Sequence, residues 1–305
     1  MVGCPRSGTT LLRTILSSHP RVAMLPFETH LLDIWDQQGL SLDDSEDFER
    51  FWSGFTQQGE FRRIVKNPQE LRRELQGLAP LEPRTVLTHL MRRYANEQGK
   101  ERWGEKTPDH YAHLATLFDW YPGGRALFLV RDPRAVLASW IMLDRGWTRR
   151  PVDQILGRWQ ESVQQAQLWM MDRRVMVMRY EDLIRDPDAR ILAIFRFLEL
   201  GTGPDRTELE EQADIARARR LVVNRDPSAW RGLISKSQLR TIESVLKREM
   251  DSFGYEPATP LTLVERGLSG TRAAARPFHR TYRSLRRAVG TALRGRGTRG
   301  WVSCW

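Results

Sequence analysis

The segment that most restricts this 305-residue chain is near its start, Gly3–Leu12, GCPRSGTTLL. Two glycines four residues apart, a pair of threonines and an apolar run at helical spacing (Leu11, Leu12, Ile15, Leu16) describe a tight turn entering a helix, with Pro20 just beyond its end. Backbone N–H groups at such a helix start suit a phosphate dianion, aided by the hydroxyls of Ser7, Thr9 and Thr10 and the guanidinium of Arg6. The pattern is one residue away from the triphosphate loop G-x-x-x-x-G-K-[ST]. Thr9 stands where the lysine that reaches the β- and γ-phosphates would be. Without that lysine, and without a strong Mg²⁺-binding acid, the loop is suited to hold one phosphate and poorly equipped to transfer a γ-phosphoryl group. Only Met1–Gly3 remain for the strand that feeds it, which predicts a native start upstream of Met1.

A second basic element has the same logic. The strand-like run Ala126–Val130, ALFLV, is followed by Arg131 and, eight residues later, Ser139 in a proline-initiated helical segment. Arg131 then sits at the carboxyl end of a parallel strand, where α/β sheets bind ligands, and Ser139 about two turns into the next helix. Two anion-binding elements in one chain imply a ligand with two separate phosphates.

Around these elements, short apolar strands alternate with helices. Arg174–Tyr180 reads as another strand. Helical faces recur at Val86, Leu87, Leu90, Met91 and Tyr94, and again at Leu239, Ile242, Val245, Leu246 and Met250. The acidic segment SLDDSEDFERFW reads as a peripheral helix. The fold class that follows is α/β: a P-loop-like three-layer fold, its central parallel sheet flanked by helices, over residues 1–258, with a basic helical tail over 259–305.

Charge separates the two parts. From Arg266 onward there are ten arginines, no lysine and no acidic residue, and the first 265 residues balance 38 basic against 38 acidic side chains. The net charge of +10 is therefore a property of the tail, and nucleic-acid binding by the body is not expected. In the tail, Phe278, Tyr282, Leu285, Val289 and Leu293 recur at helical spacing among Arg280, Arg283, Arg286 and Arg287. That pattern suits an anionic membrane surface or a partner, and equally a solvated, partly disordered tail. The lack of a long apolar run, of a leader-like segment and of any cysteine beyond Cys4 and Cys304 predicts a cytoplasmic protein, peripheral at a membrane through its tail.

PRSGTTLL and LVRDPRAVLAS resemble the 5′-phosphosulfate loop and the 3′-phosphate motif of sulfotransferases that use 3′-phosphoadenosine 5′-phosphosulfate (PAPS). WGEKTPDHY is similar to a segment of heparan sulfate 3-O-sulfotransferases and bacterial relatives, PRSGTTLLRTILSSHPRV resembles protein-tyrosine sulfotransferases, and SAWRGLIS with FGYEP resembles the closing segment of the bacterial group. The resemblance spans about residues 3 to 256 and excludes the tail. It implies PAPS as co-substrate, held by Pro5, Arg6, Ser7, Gly8, Thr9 and Thr10 at the phosphosulfate and by Arg131 and Ser139 at the 3′-phosphate. It further implies nucleotide contacts from Tyr180, Trp230 and Arg231, Glu28 as general base and Lys106 stabilising the leaving phosphate. The acceptor is a hydroxyl or amine of unknown identity: carbohydrate, glycolipid, peptide or small metabolite.

Bland roles compete with these. Glu28 suits a first-turn helix position, Tyr180 a strand end, and Lys106 a surface, although only five lysines stand against 43 arginines. Pro108 occupies the place of the histidine base of small-molecule sulfotransferases, leaving His110 as the one substitute on that route. His110 and His113 beside Asp109 read as solvated rather than metal-binding, so no metal is expected. A nucleotide or sugar kinase, or a nucleic-acid- or membrane-binding protein acting through the tail, are the alternatives.

Overall fold

Five short strands organise the described chain: β1 (Val2–Gly3), β2 (Val22–Met24), β3 (Arg102–Gly104), β4 (Ala126–Val130) and β5 (Val175–Arg179). The structure is a computed structural model that describes residues 1–38, 44–57, 61, 65–78, 82–143, 151–200, 207–222 and 226–258. The basic tail, residues 259–305, lies outside the described residues.

All pairings are parallel. The order β1–β4–β5 forms one sheet, in which Val2 faces Phe128 and Val130 faces Arg179, and β2 pairs with β3 so that Met24 faces Gly104. The Met1 amino group donates to the Glu105 carbonyl at 2.7 Å, joining the start of β1 to the residue after β3. Along β4 the side chains alternate: Ala126, Phe128 and Val130 enter one core with Trp159 and Val163, and Leu127 and Leu129 enter another with Leu12, Ile15 and Phe195. Both faces are covered, which is why β4 reads as an unbroken apolar run.

β2 and β3 have no comparable run. They are three residues each, and Arg-Trp-Gly carries no strand signal of its own, so their pairing is set by tertiary contacts. The acidic segment does form a helix, Ser45–Thr56, capped by Asp44. It is less peripheral than its charge suggests: Phe48, Phe51, Trp52 and Phe55 are buried with Phe27, Phe61, Leu71 and Leu87 in a third core. The late helix expected as one piece is two, Lys236–Val245 and Lys247–Ser252. Leu246 leaves helical geometry at φ −105° and ψ 13°, which buries Leu246 and Met250 and leaves Val245 exposed.

Each strand ends in a segment singled out from the sequence. The loop to Thr10 follows β1, Glu28 follows β2, Lys106 follows β3, Arg131 follows β4 and Tyr180 follows β5. The loop itself depends on Gly8, which has φ +97° and caps the helix Thr9–Ser17. A Cβ there would stand 2.5 Å from the Tyr180 ring. Gly8→Ala combines left-handed strain with that clash, and is expected to cost about 2 kcal/mol or more, lowering Tm by roughly 4–8 °C. Thermal unfolding followed by circular dichroism measures this; an unchanged Tm contradicts the packing.

Candidate active site

The loop after β1 and the segment after β4 meet. Arg6, at φ +75°, directs its guanidinium out of the loop so that Nε donates to Ser139 Oγ at 3.1 Å. Arg131 Nη1 donates to the Arg6 carbonyl at 3.0 Å, and the Arg131 guanidinium lies over the Tyr180 ring, 4.4 Å from its centroid. Trp159 Nε1 donates to the Arg131 carbonyl at 2.7 Å, fixing the backbone at the end of β4. Ser139 belongs to the helix Pro133–Met142, whose cap Asp132 accepts from the Arg134 N–H at 2.9 Å. Ser7 Oγ and Arg131 Nε are buried and have no hydrogen-bond partner among the described residues. Such orphans are costly unless a ligand completes them.

Tyr180 is 1% exposed and lies under the loop, its ring against Gly8 and Arg131. It shapes the cradle from below. Thr9 is buried, Pro5 half-buried, and Arg6 and Thr10 exposed. Trp230 is buried against Ala135 and Ala138, one residue from Ser139, and Arg231 is exposed beside it.

The β2–β3 register brings a second group together. Lys106, 4% exposed, donates to Glu28 Oε1, and His30 Nε2 lies 3.2 Å from Glu28 Oε2. His30 Nδ1 approaches Asp33 at 3.5 Å, and Asp33 in turn meets His113 at 3.3 Å. Burial works to raise the Glu28 carboxyl, but His30 and Lys106 outweigh it and hold Glu28 below its ordinary value. Burial works against charging His30, yet the Asp33 and Glu28 carboxylates push it up to about 9. His30 also has a left-handed backbone, φ +46°. Two of the three non-glycine residues with positive φ among the described residues, Arg6 and His30, are thus in this site, where strain is held for a geometric purpose.

Glu105 anchors the turn beneath. It accepts from Thr29 Oγ1 at 3.0 Å and from the Thr107 N–H at 3.0 Å. Burial opposes its ionisation, but His110, the chain's amino group and Thr107 bring it down to about 2. His110 is 1% exposed, 3.2 Å from Glu105, and is enclosed rather than open to a substrate as the substitute base would need to be. His113 is committed to Asp33 and Asp36, so neither histidine is solvated as the sequence suggested. No cluster of three or more His, Cys, Asp or Glu arranged for a metal ion occurs among the described residues. Burial pushes the Cys4 thiol up to about 12, so the loop offers no thiolate nucleophile. Among the described residues no helix is long and apolar enough to cross a membrane.

Sequence reasoning missed His30, Asp33, Thr29 and Glu105. The available signal was spacing: His30 and Asp33 lie two and five residues after Glu28, at the entry to the helix Leu31–Gln38.

The chain also matches known proteins. The Sulfotransferase family profile matches residues 1–204, two thirds of the chain. The chain belongs to the sulfotransferase family. It is 24% identical over 345 residues to the nodulation protein NoeE of Sinorhizobium fredii, covering 96% of this chain and 75% of that one. It is 22% identical over 281 residues to protein-tyrosine sulfotransferase A of Caenorhabditis elegans, covering 84% and 66%. Among solved structures, the sulfotransferase domain from the curacin biosynthetic pathway matches with a TM-score of 0.50 and 21% identity, covering 84% of this chain and 96% of that one, and shows the shared fold. A kinase is set aside by the family match.

The residues present fit a doubly anionic nucleotide. Ser7 Oγ and Arg131 Nε are unsatisfied donors on the two separate elements, and each suits a phosphate oxygen.

Ionised His30 makes stability pH-dependent. Its value is raised on folding from 6.5 to about 9, so its contribution is fully present below pH 6.5 and is lost as pH rises through 9. The Tm gap between the wild type and His30→Gln is therefore expected to be largest at about pH 6 and to shrink toward pH 9, as read by thermal melts across that range. A gap independent of pH contradicts the Glu28–His30–Asp33 arrangement.

Proposed function

We propose that the chain transfers a sulfuryl group from PAPS to a hydroxyl or amine acceptor, with Pro5–Thr10 holding the 5′-phosphosulfate and Arg131 and Ser139 the 3′-phosphate. The observation that carries this reading is the Arg6–Ser139 and Arg131–Arg6 contacts, which lock the two anion-binding elements into one cradle. PAPS supplies the sulfuryl group, whose bond to the 5′-phosphate oxygen breaks as the bond from sulfur to the acceptor forms.

The chain's own residues do the rest. Glu28 takes the acceptor proton. Lys106 supplies a compact positive charge for the leaving phosphate oxygen, a role that preorganised donors fill at about 10²–10³ in rate. The Lys106–Glu28 pair gives the two roles a common control. While they are paired, Glu28 is a weakened base; as Lys106 turns to the anionic leaving group, the carboxylate regains basicity at the moment a proton must be accepted. His30 keeps the other carboxylate oxygen oriented. No metal has a role in this reading.

Residues 1–258 form the sulfotransferase domain in this reading, and 259–305 a separate basic tail for which an anionic membrane surface is the proposed partner. Of the two acceptor classes a hydroxyl is favoured, and the tyrosine named for the nematode relative makes a phenol one class to test.

The test incubates the protein with radiolabelled PAPS and fractionated acceptor pools, then repeats the reaction with Glu28→Gln. Label is expected to move to an acceptor in the wild type. Glu28→Gln is expected to lower turnover by about 10²–10⁴ with little change in affinity for 3′-phosphoadenosine 5′-phosphate (PAP). An unchanged turnover removes Glu28 as the base.

A further inference from the structure

A buried carboxylate oxygen beside the Glu28 group has no role in the proposed sulfuryl transfer. Asp109 lies in the short helical turn Pro108–His113 that follows Lys106. Its Oδ2 accepts from Arg158 Nη2 of the helix Val152–Trp169, and the two side chains are 19% and 17% exposed. Its Oδ1 is buried and has no hydrogen-bond partner among the described residues. An ionised carboxylate only accepts, so the missing partner is an O–H or N–H donor.

The turn is pinned along the Glu28 segment at both ends. The His30 N–H donates to Thr107 Oγ1 at 3.4 Å, and His113 Nε2 lies 3.3 Å from Asp33 Oδ1. Burial raises the Asp109 carboxyl above its ordinary value, Arg158 opposes that, and Asp33, His30 and Glu28 all act on it. Asp109 and Arg158 also act on the Cys4 thiol, at the start of the glycine loop. An acceptor attacking in line lies between that loop and Glu28, and Asp109 is flanked by both. Glu28 and Asp33 are themselves acceptors, and His30 directs its two ring nitrogens at them, so none of the three supplies the missing donor.

We infer that Asp109 is an acceptor-binding residue whose Oδ1 takes a hydrogen bond from a second hydroxyl or amino group of the acceptor. The acceptor is then a polyol or amino alcohol, carbohydrate in class, rather than a simple phenol. The inference rests on the proposed reading of Glu28 as the base: Glu28 takes the reacting proton, and Asp109 holds a donor that does not react. Arg158 favours the ionised carboxylate and fixes its plane. A buried oxygen built to meet a donor discriminates against a molecule that lacks one, because it is then left desolvated and unpaired.

The test measures transfer from radiolabelled PAPS to two sets of probes: methyl glycosides with glucosamine, and p-nitrophenol with p-cresol, phenols that carry a single hydroxyl. Label is expected on the first set and not on the second. Removing the hydroxyls of the best glycoside one at a time is expected to reveal a non-reacting hydroxyl whose loss raises KM about tenfold, with kcat within about twofold. Asp109→Asn is expected to raise KM by about the same factor, because Arg158 claims the one amide oxygen and the NH2 group then faces the acceptor's donor. Combined, the deoxy glycoside and Asp109→Asn are expected to lose no more than either alone, with the affinity for PAP unchanged. Label reaching the phenols as readily as the glycosides or in their place, additive losses, or an acceptor KM unchanged by Asp109→Asn overturns the inference. The deoxy series on the wild type decides the matter even where the variant does not fold. A wild type that binds PAP but labels neither set also overturns the acceptor class. Failure to bind PAP overturns instead the sulfuryl-transfer reading, and turnover unchanged by Glu28→Gln overturns the reading of the base.

Discussion

The Arg131 guanidinium over the Tyr180 ring is the contact on which the site depends. Tyr180 fills the space that a side chain at position 8 would need, so the loop can pass only as glycine, and Arg131 reaches from this platform to the Arg6 carbonyl. Arg6 in turn meets Ser139. Three strands of one parallel sheet, β1, β4 and β5, therefore present their carboxyl ends as one surface, and the loop, the helix start and the supporting tyrosine are interdependent rather than merely adjacent.

The second group, Glu28 with Lys106 and His30, is built by the other strand pair. Its electrostatics are those of a carboxylate shared between a buried lysine and a histidine. Lys106 is buried and its charge is met by the Glu28 carboxylate, while His30 remains charged through neutral pH and keeps that carboxylate ionised. In the proposed reading a bound anionic leaving group competes with Glu28 for Lys106, which links occupancy of the cradle to the strength of the base.

The parts legible in the sequence are those whose signal is local. The glycine loop, the β4 run and the proline-initiated helix at Pro133 are encoded by turn chemistry and by burial on both faces, and the structure has them where expected. The parts not legible depend on pairing. Three-residue strands carry no periodicity, so β2–β3 and the contact it makes between Glu28 and Lys106 can be approached only through family resemblance. His30 and Asp33 read as ordinary helix-entry residues until the fold sets Lys106 and His113 against them. Resemblance implies Tyr180 as a nucleotide contact; that its buried ring also supports the loop is a relation only packing reveals.

The proposed site is one cradle for two separate phosphates, built on buried donors that have no partner among the described residues. The most direct measurement is a crystal structure of the PAP complex. Ser7 Oγ and Arg131 Nε, both buried without partners, are each expected to lie at hydrogen-bond distance, about 2.7–3.0 Å, from oxygens of different phosphates. PAP bound elsewhere, or bound with both atoms still unpartnered, contradicts this.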